Sequence, residues 1–582
     1  MRITFPLGDF APAHKRPLDF RRLLIYPQEP NDDNEDGEDD RGVLLVTLVT
    51  SAVRGGKPNY SLAEVSRAIA RSGCASDIDA LHVVPLLVKC PDEAATEILA
   101  LLGECGNAKE VVIAVQEAME HLREELSAVE FDSDNDEAEL ESSTRSTSYK
   151  QLGKLLDLYS SAIPRLKLRQ KTAAETLRPL LSDIQGIIEL AGPLFNNTDG
   201  RVILEKVARL VERCAKWAND QPPKEGVKVE EIGSSSGAKS LLLTTLGSLA
   251  NCIGADIAQR EFESSNPRLF PQARSSVRSD AHVGDAIMSV VKDAFSVLHL
   301  SNDELLMDRS IGSLVLLGHT NTNAPIPIPP NTLLSYLLPV IISSIQNKLA
   351  LDESLYILLT SAASLKTSKA HLDADLATPL CSVLAPLASM HPEPSTRLLT
   401  FHILGSILSV APPVQRMELF HDLLTEEGCP FPQMHVAAVG LLKDAVLEAL
   451  AEDRSPDGGS SKKTGNPFAS PNLLRTFGPV VFRPSPPDLF ASPPDLKAFL
   501  DTQEPRRLVE CLSFYFILLS RDTRNLTGIS DADCIKSVEK SLIGPLRATL
   551  QYWMSSGQDA HDMSLAALEL AIERVDSKLA SM

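Results

Sequence analysis

Aromatic residues are scarce in this 582-residue chain, at 5% of the total, and only two are tryptophan. Leu and Ala fill the apolar share instead, which stands at 43%. Such a chain packs helix on helix rather than around large rings. Paired cysteines are also missing. The nine cysteines (Cys74, Cys90, Cys105, Cys214, Cys252, Cys381, Cys429, Cys511 and Cys534) are odd in number, scattered, and form no CxxC. That excludes a disulfide framework and reads as free thiols packed in a reducing compartment. Positive charge is in deficit, with 56 Lys and Arg against 77 Asp and Glu, a net charge of −21. A nucleic-acid binder normally shows a basic face, so direct nucleic-acid contact is not expected and a basic protein partner is favoured.

Long apolar runs are absent too. Residues 240–258 carry Thr, Ser, Asn and Asp, and residues 333–345 are too short to span a bilayer, so no membrane contact is expected. The first 20 residues lack the apolar core of a secretory signal. These readings together place the protein in the cytoplasm and leave a nuclear pool open. Nothing matches HExxH, a P-loop or a dinucleotide fingerprint, and residues 53–58 lack the first glycine and spacing of a phosphate loop. No cofactor is expected.

What the chain does contain is helical periodicity. Val112, Val115, Met119, Leu122 and Leu126 step by three or four, with Glu117, Glu120 and Glu124 facing away. Ile203, Val207, Leu210, Cys214 and Trp217 form another one-sided stripe, and Leu565, Leu568, Ile572, Val575 and Leu579 a third. Residues 395–450 hold three helical patterns in succession. In the first, Leu399, Ile403, Ile407 and Val410 lie beside a second stripe of Phe401, Leu404 and Leu408, as in a helix covered on several sides. Pro412 and Pro413 open the next helix, where a missing N–H costs nothing. Gly428 reads as a left-handed stop, and Pro430 and Pro432 bar continuation. The third helix buries Val436, Val439, Leu442, Val446 and Leu450. Gly440 inside it costs ~1 kcal/mol relative to Ala and reads as a point of close helix approach.

Eight segments follow: an irregular acidic stretch at 1–42, helical repeats at 43–128, an acidic linker at 129–148, repeats at 149–218, a linker at 219–237, central repeats at 238–450, a Pro/Gly/Ser-rich excursion at 451–500, and C-terminal helices at 501–582. The fold class expected is all-α, an irregular HEAT/armadillo-like α-solenoid with acidic and Pro/Ser-rich insertions. No strict repeat consensus is present.

Candidate chemistry is sparse. Residues 233–237 match G-x-S-x-G and would make Ser235 the nucleophile of a hydrolase, but the motif needs a strand before it and a parallel sheet around it. A flexible Ser/Gly linker explains the run better. Residues 32–37 resemble the start of a calcium loop, whose twelfth position should be Glu and here is Val43. His421, Cys429 and His435 lie close in sequence without the tight ligand pair of a zinc site. Ser133, followed by Asp134 and Asp136, suits an acidophilic kinase.

Two stretches resemble the glomulin/Yap-binding protein family. One is residues 106–122, GNAKEVVIAVQEAMEHL, with Lys109, Glu110, Gln116 and Glu117. The other is residues 419–450, with Cys429, Pro430, Phe431, Pro432, Gln433 and Met434, then Gly440, Leu441 and Lys443. These anchors look like packing and turn residues. The resemblance implies a non-enzymatic helical-repeat regulator. Yap-binding members associate with a stress-responsive bZIP transcription factor and assist its peroxide-driven oxidation; some members are linked to kinetochores. Glomulin-like members cap the RING subunit of cullin ubiquitin ligases through their C-terminal part. The Yap-binding role is the expectation adopted, with the ligase cap as its alternative. It raises a redox role for Cys429 or Cys511. Glu426 and Glu427 should raise the Cys429 thiol pKa, whereas Arg507, one turn before Cys511, would favour a thiolate that its apolar surroundings oppose.

Overall fold

The computed structural model describes residues 36–55, 58, 60–131, 138–168, 171–221, 234–270, 279–320, 328–452, 466–555 and 563–582. Among them there are helices and no β-strand. The helices fall into two compact units. Residues 1–255 and 282–300 make the first, and residues 256–281 and 301–582 the second. No described helix is long and apolar enough to cross a membrane.

In the first unit the main helices are α1 (Asp36–Arg54), α2 (Leu62–Ser72), α3 (Ala80–Lys89), α4 (Glu93–Cys105), α5 (Ala108–Phe131), α6 (Ala138–Ala162), α7 (Ala173–Ala191), α8 (Asn197–Asn219) and α9 (Ser234–Ser248). Each packs on the helix two further along. One row runs α2, α4, α6, α8 and a second runs α3, α5, α7, α9. This is the stacking of α-α hairpins, in which no repeat buries its apolar face alone. Val112, Val115, Met119 and Leu122 of α5 are buried, as are Ile203, Val207, Leu210, Cys214 and Trp217 of α8. Starts are set locally: Ser61 with Glu64 and Thr172 with Glu175 form reciprocal capping boxes.

The second unit contains α10 (Ile257–Ser265), then, after α11 (Ser279–Val297), α12 (Asn302–Asp308), α13 (Ile311–Thr320), α14 (Pro330–Asn347), α15 (Leu351–Ser368), α16 (Ala374–Met390), α17 (Pro394–Val410), α18 (Pro413–Leu424) and α19 (Pro432–Glu452). It continues with α20 (Asn472–Val481), α21 (Leu496–Leu500), α22 (Glu504–Arg521), α23 (Ala532–Val538), α24 (Gly544–Ser555) and α25 (Met563–Ala580). Two rows recur: α14, α16, α18, and α13, α15, α17, followed by α19, α22 and α25.

Several boundaries differ from those read in the sequence. Residues 36–42, read as irregular, belong to the helix α1. α6 begins at Ala138, inside the stretch read as an acidic linker; Ser133 and residues 132–137 lie outside the described residues. α9 takes in residues 234–237, read as linker. The excursion after residue 451 is partly built: Phe468, Leu473, Phe477 and Val481 are buried, and the Phe468 ring meets Phe420 edge-on at 6.0 Å with the Arg416 guanidinium 5.4 Å above it. Gly428 is not a left-handed stop. α18 ends at Leu424, and a Cβ at Gly428 would come within 2.4 Å of the Asp422 carbonyl oxygen, so glycine is required there by space.

Carboxylates anchor several contacts within the second unit. Asp352 caps α10 from 95 residues along the chain, accepting from the amides of Ile257 (2.6 Å) and Ala258 (2.9 Å). Beside it, Glu353 meets Nε2 of His319 at 3.0 Å, both side chains buried. Glu504 and Arg507 form a bidentate pair at 2.6 and 2.7 Å. Arg507 also donates to the Arg483 carbonyl (2.6 Å), and Glu504 accepts from the Ser485 amide (2.9 Å), so the pair fastens the segment after α20 to α22.

Burial, with the charge of Glu353 beside it, pushes the Asp352 carboxyl up to about 7, although both amide bonds pull it down. An unfolded Asp titrates near ~3.9. The folded unit thus holds this proton more tightly, and its stability falls as pH rises from about 4 to about 7 and then levels. Asp352→Asn removes the titration, so urea midpoints of wild type should decline across that window relative to the variant; parallel curves would refute the assignment. Arg507→Met leaves Glu504 buried and unpaired and should cost about 3–5 kcal/mol in urea unfolding followed by circular dichroism. Replacing Glu504 by Gln in the same chain should recover part of the loss.

Candidate partner-binding groove

Along the second row of the second unit, neighbouring helices press closely except at one step. α17 and α19 touch little, and an open groove of about 380 Å³ lies there. Phe401 of α17 forms one wall. Val436, Ala437, Gly440, Leu441 and Asp444 come from α19, spaced by one or four so that they share a face. Lys443 and Glu510 close the far side, Glu510 being contributed by α22.

The two helices come close at Gly405. A Cβ at Gly405 of α17 would lie 3.0 Å from Cδ2 of Leu441, so the Leu441 side chain fills the space that glycine leaves. Gly440, one residue earlier, is the reverse case: a Cβ there would meet nothing within 4 Å. The close approach expected at Gly440 is therefore found at Gly405, and Gly440 forms an open notch in the groove. Val436, read as buried, is half-exposed on the same face, whereas Val439, Leu442, Val446 and Leu450 are buried behind it. Lys443 Nζ lies 3.4 Å from Glu510 Oε2. Asp444 is exposed, and no cation among the described residues pairs with it.

The signature positions divide by role. Lys109, Glu110, Gln116 and Glu117 belong to α5 in the first unit. Asn107 caps that helix, accepting from the Lys109 amide (3.2 Å) and donating to Glu110 (2.7 Å); Lys109 and Glu117 are exposed and Gln116 half-buried. Pro432 is the first residue of α19, Gln433 donates to the Ser389 carbonyl of α16 (3.3 Å), and Met434 is buried. Only Gly440, Leu441 and Lys443 line the groove. Phe401, Val436, Ala437, Asp444 and Glu510 were not singled out as site residues by sequence reasoning. The spacing of 436, 440 and 444 was visible, but which face of α19 stays uncovered was not.

All nine cysteines are free. Burial raises the Cys429 thiol, partly offset by a backbone hydrogen bond from Phe431; burial, not Glu426 and Glu427, is the cause. Arg507 Nη1 lies 3.6 Å from the Cys511 sulfur, yet burial still pushes that thiol up to about 11. Cys381 is pushed up to about 12. His435 Nε2 meets the Cys429 carbonyl oxygen at 2.7 Å and thereby ties the turn before α19, and no three His, Cys, Asp or Glu among the described residues are grouped to hold a metal. Ser235 lies in the first turn of α9, with no strand among the described residues to form a nucleophile elbow.

A family model described as "Uncharacterised protein family, YAP/Alf4/glomulin" matches residues 272–571, more than half of the chain. The chain belongs to the YAP/Alf4/glomulin family. The groove lies inside the matched span, while the signature residues of α5 lie outside it. A comparison with curated proteins finds no match. YAP/Alf4/glomulin membership makes the chain a helical protein of a binding family rather than of a known enzyme class.

The two glycines give opposite expectations. Gly440→Ala should raise stability by about 1 kcal/mol, since the added Cβ meets nothing and a helix interior favours alanine. Gly405→Leu displaces Leu441 and should lower it by about 1–3 kcal/mol. Thermal melts of both variants check the pair; equal shifts would contradict the packing described.

Proposed function

We propose that this protein is a non-enzymatic binding regulator of the Yap-binding kind, which scaffolds a stress-responsive bZIP transcription factor in the oxidative stress response. The observation that carries the reading is the groove formed by Gly440, Leu441 and Lys443, inside the family match, on a surface the fold itself leaves uncovered. The net charge of −21 supports it, because a basic region is drawn to an acidic chain by long-range attraction. The buried thiols define the role further. With Cys381, Cys429 and Cys511 all raised, none of these three is a ready thiolate at neutral pH, so in this reading none of them carries out the thiol chemistry. Such a partner places the protein in the cytoplasm with a nuclear pool.

Affinity purification of the tagged full chain from native cells, with and without peroxide, tests the reading by quantitative mass spectrometry. A bZIP factor should be enriched, more strongly after peroxide, and lost as salt is raised through the range that screens surface charge. Enrichment of a RING subunit with its cullin, insensitive to peroxide, would replace this role with a glomulin-like ligase cap.

A further inference from the structure

α19 carries two apolar faces. One, with Met434, Ala438, Leu442 and Val446, is buried in the second unit. The other, with Val436, Ala437, Gly440 and Leu441, opens on the groove. A helix that only completes a core needs the first face and is polar opposite it. The second therefore asks for an occupant that is not part of the described fold.

We propose that the groove seats an amphipathic helix of a partner protein, whose apolar face lies over Gly440 and which carries one lysine or arginine against Asp444. The inference rests on the binding-regulator reading and specifies the partner segment. The missing Cβ at Gly440 lets a side chain of the incoming helix reach the α19 backbone, while Phe401 and Leu441 flank it. Leu398, one turn before Phe401 on α17 and 48% exposed, continues the apolar strip. The charges select the sign of the partner residue. Lys443 is engaged by Glu510, so Asp444 is the groove charge left to answer, on a chain already at −21. The helical form follows from what the surface offers. Adding a strand needs an unpaired sheet edge, and the described residues contain no strand, whereas a groove between helices takes a helix through anchors at i, i+3 and i+4. At about 380 Å³ the groove is an anchor point rather than a whole interface.

A displayed library of random peptides of about 18 residues, five helical turns, is selected on the full chain. Recovered sequences should show an amphipathic helical pattern with a recurring Lys or Arg. Their affinity should fall at least ten-fold on Gly440→Leu and on Asp444→Lys, both with unchanged circular dichroism and no fall in thermal midpoint. Changing the recurring cation to Glu should restore binding to Asp444→Lys. Selected peptides that are extended or acidic, that bind Gly440→Leu as tightly as wild type, or a selection that yields no binder, would overturn the proposal. The purification from native cells, repeated with Gly440→Leu, separates the two claims. Loss of the bZIP factor supports the groove. Retention overturns the groove and leaves the regulator reading intact, and no specific partner with wild type removes that reading itself.

Discussion

Each helix of this chain has an apolar stripe that it cannot shield by itself, and few rings are available to fill wide spaces between helices. Close stacking is what remains. Within each unit, helices therefore pack on those two places along as well as on their hairpin mates, and side chains such as Leu204, Val207 and Leu210 are fully enclosed. At roughly 25 cal/mol per Å² of apolar surface, this burial is the main favourable contribution to folding. Caps, turns and ion pairs then decide where helices start and stop.

That division of labour explains the polar groups found inside. Asp352 supplies the cap that α10 cannot make for itself, since Asp256 before it has φ 51° and no side-chain hydrogen bond to the helix. Glu504 and Arg507 hold an otherwise irregular segment against α22, and their remaining capacity is used by backbone groups of Arg483 and Ser485. A buried pair of this kind adds little net stability relative to an apolar replacement, but it fixes position. Arg416 does similar work at Phe468 and also pairs with Glu448 at 3.1 Å.

The groove is where this stacking is relaxed. Leu441 seated on Gly405 keeps α17 and α19 in register at one point and leaves the neighbouring face open. The sequence resemblance pointed to residues 440–443 as packing residues. In the structure Leu441 both packs and lines the groove, while Gly440 only lines it.

The sequence by itself determined the helices, because period and capping are local: the stripe of α5, the boxes at Ser61 and Thr172, and the proline starts of α18 and α19 follow from residues within a few turns. It also pointed to the family, which the match over residues 272–571 shows. The short helix α20 was hidden by Gly478, Pro479 and the Ser/Pro residues around it, although Leu473, Phe477 and Val481 keep a step of four. Only the tertiary structure decided what depends on distant partners. The cap on α10 comes from 95 residues away, the close glycine proved to be Gly405 rather than Gly440, and one face of α19 remained uncovered. Periodicity shows that a face is apolar; whether a neighbour covers it depends on the position of a helix far along the chain.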